Sequence, residues 1–326
     1  MDESFESRPL LTRETLRALQ QRRDAPSVMR LTLHLGAFLF GAAEVTYSAP
    51  FPIAAAVAAV VLGAMWATLF APFHECTHLT AFRSRRLNAV GAWLSGIPFG
   101  MAPAVYRAFH FAHHRYTHDP TRDPEIGGAP DKLAAWPTNG LAWLSLVCGV
   151  WLLLLKATVL VKFSLLSTSR PEQIAPWAPV EQRSRLVWET RVVALCWLAL
   201  GVAVLLGISG SGWLVVALVL SHFFQAVWIT TEHTGLPFEG TILARTRTMH
   251  TSAFVRWWLW NMNYHAEHHA WPAIPWYQLP AVHARIARHL DHESHGYWRL
   301  QLNVLRGKNL PDGVPPMQRE KGSVAL

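Results

Sequence analysis

Eight histidines in three short groups constrain the fold of this chain more than any other sequence feature. They are His74 and His78, then His110, His113 and His114, and then His265, His268 and His269. Imidazole is the commonest side-chain ligand of transition metals, and one zinc ion takes three or four ligands. Eight grouped imidazoles therefore indicate two metal ions, and the fold must bring three distant segments to one place.

Each group has the spacing of an α-helix. Residues three and four positions apart lie on the same helical face, so a pair such as His74 and His78 can direct both imidazoles to one spot. A single histidine on an apolar helix is usually an ordinary core or surface residue. Three groups with this spacing in one chain favour a shared metal site instead.

The composition indicates that this site is held in a membrane protein. The chain is 51% hydrophobic and only 15% charged, with 16 tryptophans. A transmembrane helix needs about 20 apolar residues. Residues 51–72 and 192–231 contain no Asp, Glu, Lys or Arg, residues 31–49 contain only Glu44, and the glycine-rich residues 207–212 divide the longest run. The sequence predicts an all-α membrane protein with four transmembrane helices in two hairpins.

A fifth apolar run, residues 133–155, tests this topology. It is long enough to cross a membrane, although Pro137, Asn139 and Gly140 weaken its first third. If it crossed, the third histidine group would emerge on the opposite side from the first two, and one metal site could not form. We therefore expect this run to be interfacial or re-entrant.

The arginines predict the orientation, because cytoplasmic loops are richer in Lys and Arg than external loops. The arginines between the predicted spans fall on the histidine side. They are Arg83, Arg85, Arg86, Arg107, Arg115, Arg245, Arg247 and Arg256. We expect a multi-pass protein of a bacterial inner membrane, with both termini and the metal site cytoplasmic and the turns near Ala49 and Ser211 outside.

Three regions divide the chain. Residues 1–30 are expected to form a cytoplasmic N-terminal segment without a signal peptide, residues 31–306 the membrane domain, and residues 307–326 a disordered C-terminal tail. The net charge of +8 indicates attraction to anionic lipid or to an acidic redox partner, and no motif indicates a nucleic-acid partner. The three cysteines lack Cys-x-x-Cys spacing, which disfavours a disulfide framework and an iron–sulfur site.

The three histidine groups resemble the histidine boxes of the integral-membrane fatty acid desaturases and of their hydroxylase and ketolase relatives. The resemblance covers roughly residues 30–290 and is closest in residues 263–269, Asn-Tyr-His-Ala-Glu-His-His, which are followed by Trp271-Pro272 and later by Leu279-Pro280. In that family the histidines hold two irons that activate O2. The resemblance implies this ligand role for all eight histidines, in a histidine-rich di-iron cap on the cytoplasmic face.

The family usually supplies one more histidine from the segment before the third box. His233 stands just beyond the last predicted span, on the side of the boxes. His222 precedes it by 11 residues, about 16 Å along a helix, so only one of the two can reach the metals, and the terminal position favours His233. His222 and Gln225 lie inside the span, where they would line a substrate channel or form hydrogen bonds between helices.

Acidic residues beside the boxes are candidate acceptors for the second N–H of a ligating imidazole. The candidates are Glu75, Asp119, Asp123, Glu125, Glu232 and Glu267. At least half of them are expected to be ordinary solvated loop charges. His118 follows the second box outside the family pattern and is expected either to support a ligand or to lie in a loop.

Two other classes of function fit part of the sequence. His74-Glu75-x-x-His78 is also the signature of zinc proteases, but an intramembrane protease would leave six boxed histidines unused. A metal transporter would place its histidines along the middle of the spans, whereas these boxes lie outside the long apolar runs.

Within the resembling family, the third box favours an O2-dependent desaturase that introduces a double bond into the acyl chain of a lipid. Hydroxylation or ketolation of a carotenoid or another lipid is the alternative, because the reactions differ in the fate of the carbon radical after the first hydrogen is lost. No haem-binding His-Pro-Gly-Gly run is present. The resemblance therefore implies a separate electron donor, a ferredoxin or a cytochrome with its reductase.

Overall fold

The computed structural model describes residues 5–126, 135–166 and 175–307, and most of these residues are helical. The tail predicted for residues 307–326 lies outside the described residues except for Gly307. The first two residues of the apolar run predicted at 133–155 lie outside them as well.

Helices account for nearly all of the regular structure. They are α1 (Arg13–Leu19), α2 (Asp24–Tyr47), α3 (Pro52–Thr68), α4 (Phe70–His78), α5 (Arg85–Phe99), α6 (Pro103–Tyr116), α7 (Gly140–Val147), α8 (Val150–Leu165), α9 (Arg183–Leu205), α10 (Ser211–His233), α11 (Ala253–Trp258), α12 (His265–Ala270), α13 (Leu279–Ile286) and α14 (Tyr297–Leu305). Two short strands, β1 (Thr248–His250) and β2 (Glu293–His295), pair in parallel with Thr248 opposite Glu293.

Within the part of the chain that the structure describes, five stretches of helix are long and apolar enough to cross a membrane. They are α2, α3 with α4, α7 with α8, α9 with the turn before it, and α10. Large apolar side chains on these helices are exposed on the protein surface, for example Phe40 (71%), Leu195 (67%) and Leu205 (86%). Such surfaces are stable in lipid rather than in water. The chain is a multi-pass helical membrane protein, as the sequence predicts.

The two hairpins pack against each other. Residues 48–51 join α2 to α3, and residues 206–210 join α9 to α10. At Gly63 on α3 the backbone approaches α10 so closely that an added Cβ would lie 2.8 Å from the Cβ of Leu220. Gly210 packs against Thr46 near the end of α2, so the turns of both hairpins lie at the same end of the helices.

Helix α9 begins at Arg183, well before the start predicted at residue 192. Its additional turns carry charged residues, which is why hydropathy placed the start too late. Glu189 accepts a hydrogen bond from the backbone N–H of Ala104 at 2.7 Å, and Arg191 donates to the carbonyl of Ser164 at 3.1 Å. These partners satisfy the charges at the start of an otherwise apolar helix.

The fifth apolar run is bent in the middle. Gly149 separates α7 from α8 with a φ of 74°, and its Cα packs against the backbone of His222, halfway along α10. The first half reaches the last turn of α10, because Trp143 donates to Gln301 at 3.1 Å and Gln301 donates to Thr230 at 2.9 Å. The bend therefore lies deeper among the helices than the start of the run.

The end of α8 packs at the junction of α5 and α6. Phe163 is buried among the residues that join α5 to α6 and the first turns of α9, including Ala102 and Leu186. Length and composition alone allow this run to cross, so the predicted count of four spans stays a prediction.

We predict that Gly149→Ala destabilises the protein. A side chain at this left-handed position costs roughly 1–3 kcal/mol, and the new Cβ would lie 2.2 Å from the carbonyl carbon of His222. The thermal midpoint of the detergent-purified variant should fall. Gly201→Ala on α9 is the matched control, because an added Cβ there meets nothing within 4 Å. Equal midpoints for the two variants would contradict the packing at the bend.

Candidate metal centre

Four helix segments bring the nine predicted histidines together. His74 and His78 lie on α4, which ends at Leu79 in the left-handed conformation (φ 61°). The second box lies on α6, His233 is the last residue of α10, and the third box occupies α12. All nine side chains are buried. The metal site implied by the boxes is therefore one compact region at the end of the helices.

The first cluster contains five histidines whose ligand atoms all lie within 4.8 Å of one another. They are His74, His78, His110, His114 and His268. The Nε2 atoms of His110 and His114 are 3.0 Å apart, and those of His114 and His268 are 3.2 Å apart. Two nitrogens bonded at right angles to one metal, each at about 2.1 Å, lie about 3.0 Å apart. The spacing fits a shared ion.

The second cluster contains His113, His233 and His269, whose ligand atoms also lie within 4.8 Å of one another. His265 lies beside it, with its Nε2 atom 2.9 Å from the Nε2 atom of His233 and its ring 4.4 Å from the ring of His269. The two clusters adjoin, because the rings of His114 and His269 stack at 4.1 Å. All nine predicted ligands are thus brought together.

The second and third boxes each contribute to both clusters. On α6 the i,i+4 pair His110 and His114 faces the first cluster, while His113 faces the second. On α12 the pair His265 and His269 faces the second cluster, while His268 faces the first. In each of these two boxes, helical spacing brings two imidazoles to one cluster and places the third at the other. A helix places residues i+3 and i+4 about 100° apart, which is enough to separate two adjacent sites.

Several ring nitrogens in the clusters have no protein partner. Both ring nitrogens of His74, the Nε2 atom of His78 and the Nε2 atom of His269 are buried and make no hydrogen bond. A buried polar atom without a partner is costly, and a metal ion removes that cost by accepting the nitrogen lone pair. The donor set consists of imidazole nitrogens, which suit Fe, Zn, Cu and Ni. These residues fit a pair of transition-metal ions.

Carboxylates support His113 on the side facing away from the second cluster. Its Nδ1 atom lies 3.0 Å from the carboxylate of Asp123 and 3.0 Å from that of Glu125. Asp123 also accepts from the backbone N–H of His118 at 2.8 Å, which fixes the loop after α6. An imidazole held in this way turns its Nε2 atom toward a metal, and such partners raise its affinity for the ion.

Other partners hold the remaining imidazoles of the second cluster. His233 donates from Nδ1 to the carbonyl of Arg245 at 3.0 Å, and the Nδ1 atom of His269 lies 3.3 Å from the hydroxyl of Thr117. Glu232 lies 3.4 Å from the Nδ1 atom of His265. Every residue has a backbone carbonyl, and hydroxyl groups are common. The sequence alone therefore does not identify Arg245 and Thr117 as partners of these histidines.

The other acidic candidates have different partners. Glu75 accepts from the hydroxyl of Thr80 at 2.8 Å and from the backbone N–H of Trp276 at 3.3 Å, and its carboxylate is 3.8 Å from Nδ1 of His74. It thereby ties the first box to the chain that follows the third. Glu267 and Asp119 bond residues that lie outside the two histidine clusters. Their partners are Thr248 and His283 for Glu267, and Thr121 and Arg122 for Asp119.

Burial keeps most of the imidazoles outside the membrane helices neutral, which is the form that binds metal. It lowers the pKa of His268 to about 3 and the pKa of His110 well below the usual value. Burial also lowers the pKa of His113, but the carboxylates of Glu125 and Asp123 outweigh it and raise that pKa to about 9. Without metal His113 is therefore protonated at neutral pH, and metal binding releases that proton.

His118 and His222 lie outside both clusters. His118 is buried rather than placed in an open loop. Its Nδ1 atom is 3.0 Å from the carbonyl of Pro237, and its ring is 5.2 Å from that of His233. His222 bonds the carbonyl of Leu218 at 2.8 Å, within its own helix. The geometry thus separates His233 from His222 in the way that the helical rise predicts.

Comparison with known proteins agrees with this architecture. The family model described as fatty acid desaturase matches residues 50–301, a range that contains all nine histidines. The chain belongs to the fatty acid desaturase family. The resemblance inferred from the three boxes is confirmed.

Curated members of this family are similar at low identity. The chain is 26% identical over 264 residues to the sphingolipid delta(4)-desaturase/C4-monooxygenase of Mus musculus, a match that covers 78% of this chain and 71% of that protein. It is 28% identical over 226 residues to the sphingolipid delta(4)-desaturase of Drosophila melanogaster, covering 68% and 62% respectively. Fatty acid desaturase 3 of Bos taurus is 25% identical over 281 residues, covering 77% and 60%. Together with the family match, these relatives indicate that the chain is an oxidoreductase that modifies lipids.

We predict that Asp123→Asn weakens metal binding in the second cluster. Removing a carboxylate that orients a ligating histidine typically lowers metal affinity roughly 10- to 100-fold. Competition with a chelator, followed by metal analysis, measures the change. Asp119→Asn is the control, because Asp119 lies in the same loop and bonds Thr121 and Arg122 rather than a histidine. Equal metal retention in the two variants would show that Asp123 does not support a ligand.

Proposed function

We propose that this desaturase is a di-iron, O2-dependent enzyme that introduces a double bond into the acyl chain of a membrane lipid. The observation that carries the proposal is the convergence of nine buried imidazoles, eight in two adjoining clusters and His265 beside the second, in a member of the fatty acid desaturase family. Five histidines hold one iron and His113, His233, His265 and His269 hold the other. When bound, the metal pair supplies the oxidising power that removal of hydrogen from an unactivated C–H bond requires.

Aromatic side chains beside the first cluster shield the reacting centre from water. Phe70 lies 5.8 Å from the ring of His74 and contacts the rings of Tyr106 at 5.6 Å and Trp228 at 5.4 Å. Trp228 in turn donates to the carboxylate of Glu232 at 3.0 Å. This aromatic layer covers the first cluster on the side of the membrane helices. It suits an apolar acyl chain and excludes water from the site.

Hydroxylation or ketolation of a carotenoid or of another lipid is the second candidate. A specific observation favours keeping it: the similar protein of Mus musculus is named both a desaturase and a C4-monooxygenase. We infer that electrons come from a separate ferredoxin or cytochrome.

An intramembrane zinc protease is disfavoured. In such a protease the glutamate is the general base, whereas Glu75 bonds Thr80 and the N–H of Trp276.

We further propose four complete crossings, in a membrane domain spanning residues 31–306 with both termini and the metal clusters cytoplasmic. Three candidate spans separate His78 from His233: α7 with α8, α9, and α10. Both histidines lie in adjoining clusters, so an even number of complete crossings separates them. The bend at Gly149 and the contacts of its two halves make α7 with α8 the segment that enters and returns.

Cysteine labelling tests this topology. In a background with the three native cysteines replaced by serine, Ser209→Cys should react with a membrane-impermeant maleimide in intact cells. Asn139→Cys and Gln182→Cys, on the two sides of the bent segment, should react only after permeabilisation, because both lie on the histidine side. Opposite behaviour of Asn139→Cys and Gln182→Cys would show that the segment crosses.

Replacement of the two α10 histidines tests the ligand set. His233→Ala should lose iron and activity together, because its Nε2 atom lies in the second cluster. His222→Ala should keep its iron, since His222 lies outside both clusters. Iron content per chain and product formation are measured side by side in membranes. An active, iron-replete His233→Ala would remove it from the ligand set, and iron loss in His222→Ala would contradict the register of α10.

Lipid and pigment analysis of a host that expresses the chain tests the proposed reaction. New unsaturated acyl chains should appear in cells with the wild-type enzyme. They should be absent with His268→Ala at equal protein level. Hydroxylated or ketolated lipids would select the second candidate, and unchanged lipids in cells whose enzyme holds two irons would contradict both.

A further inference from the structure

A second polar cluster lies among the helices, apart from the histidine clusters. It consists of Lys156 on α8 with His222 and Gln225 on α10, and all three side chains are buried. The Nζ atom of Lys156 donates to Gln225 at 3.0 Å and to the carbonyl of Phe99 at 3.2 Å. Within the described ranges no carboxylate pairs with this side chain. An ionisable side chain at membrane depth is costly and usually serves function.

His222 presents an unused acceptor to this cluster. Its Nδ1 atom lies 2.8 Å from the carbonyl of Leu218, which can only accept, so Nδ1 carries the proton. The hydroxyl of Ser221 lies 3.3 Å from the same nitrogen but donates to the Leu218 carbonyl at 2.7 Å. In the neutral ring Nε2 is then an acceptor, and this atom is buried without a partner. Gln225 lies one turn further on the same face of the helix.

A continuous row of rings joins the polar cluster to the first histidine cluster. The Nζ atom of Lys156 is 3.3 Å from the ring centroid of Phe99. Phe99 stacks on Phe70 at 5.3 Å, and Phe70 is 5.8 Å from the ring of His74. An apolar chain lying along these rings would have one end at the polar cluster and its middle beside the metal ligands.

We propose that Lys156, Gln225 and His222 bind a hydroxyl group at the far end of the lipid chain that the enzyme oxidises. This inference rests on the proposed function and names the substrate class. A hydroxyl group accepts a hydrogen bond from the amine of Lys156 and donates one to Nε2 of His222. A methyl end would leave Nε2 of His222 unpaired, and a carboxylate would place a second acceptor against it.

The anchored hydroxyl also fixes where the chain is oxidised. Gln225 precedes His233 by eight residues, which is about 12 Å along α10. The carbon beside the metal ligands is therefore a constant number of bonds from the hydroxyl, whatever the length of the rest of the chain. The position of oxidation should be set from the hydroxyl end rather than from the lipid headgroup.

Equilibrium binding to the purified full-length protein tests the site without any turnover. The probes are ω-hydroxypalmitic acid and palmitic acid, which differ only at the chain end. The wild-type enzyme should bind the hydroxylated probe more tightly, and Lys156→Met and His222→Phe should each remove that preference. The expected loss is roughly 10- to 100-fold, as for a buried hydrogen-bonding group left unsatisfied. Binding of palmitic acid should not change.

The matched control is Lys162→Met. Lys162 lies on the same helix, α8, and its side chain is exposed. It should retain the preference for the hydroxylated probe. Iron content and thermal midpoint, measured for all four proteins, establish that the variants are folded.

Product analysis then tests whether the hydroxyl end sets the position of oxidation. Cells are fed ω-hydroxymyristic, ω-hydroxypalmitic and ω-hydroxystearic acids, and the modified carbon is located by mass spectrometry. The wild-type enzyme should modify the same carbon counted from the hydroxyl end in all three, and Lys156→Met should lose this constancy.

The two proposals fail in different ways. Equal binding of both probes by the wild-type enzyme would overturn the hydroxyl site, and so would equal weakening of both probes in Lys156→Met, which would make Lys156 a structural anchor of α8. Hydroxyl-selective binding without any oxidised product would support the site and contradict the proposed reaction.

Discussion

The structure depends on the burial of nine imidazoles without enough protein partners. Nitrogen atoms of His74, His78 and His269 are excluded from water and make no hydrogen bond, so the arrangement is unfavourable until something binds them. Metal ions bind neutral imidazoles through a lone pair, and burial keeps most of these rings neutral. Metal binding at these nitrogens would stabilise the ends of four helices in one place and would couple folding to metal binding.

This convergence also governs how the chain passes through the membrane. Because the histidines at the ends of α4 and α10 adjoin, the chain between them must return to the side from which it left. In the proposed topology the bend at Gly149 meets that condition, since glycine adopts the left-handed conformation without cost and lets the backbone contact α10. A bent segment also places Lys156 beside α10, next to the aromatic residues that lead to the first cluster.

The sequence predicts much of the site, because the spacing of the histidines follows the period of an α-helix. Box spacing identifies the ligand candidates, and the rise of a helix distinguishes His233 from His222. The division of each box between two clusters follows from helical angle but requires knowledge of where the neighbouring helices lie. Residues such as Arg245 act through a backbone carbonyl, which every residue has. Lys156 gives no clear signal in the sequence, because it directly follows the apolar run 133–155, where a single charge resembles a boundary.

The same limit applies to the fold. Apolar runs predict the hairpins, but α9 begins earlier than its apolar part because Glu189 and Arg191 have partners on other segments. Such partners arise from tertiary contacts that no local pattern records. Hydropathy alone allows the run at 133–155 to cross, whereas parity, which uses the whole chain at once, predicts that it returns, and this stays a prediction.

The central claim is that two irons occupy two distinct histidine clusters, with α6 and α12 contributing to both. Anomalous X-ray diffraction at the iron edge, on crystals of the purified enzyme, tests it most directly. We predict two iron peaks, one among His74, His78, His110, His114 and His268 and the other among His113, His233, His265 and His269. A single peak, or a signal at the zinc edge alone, would contradict the account.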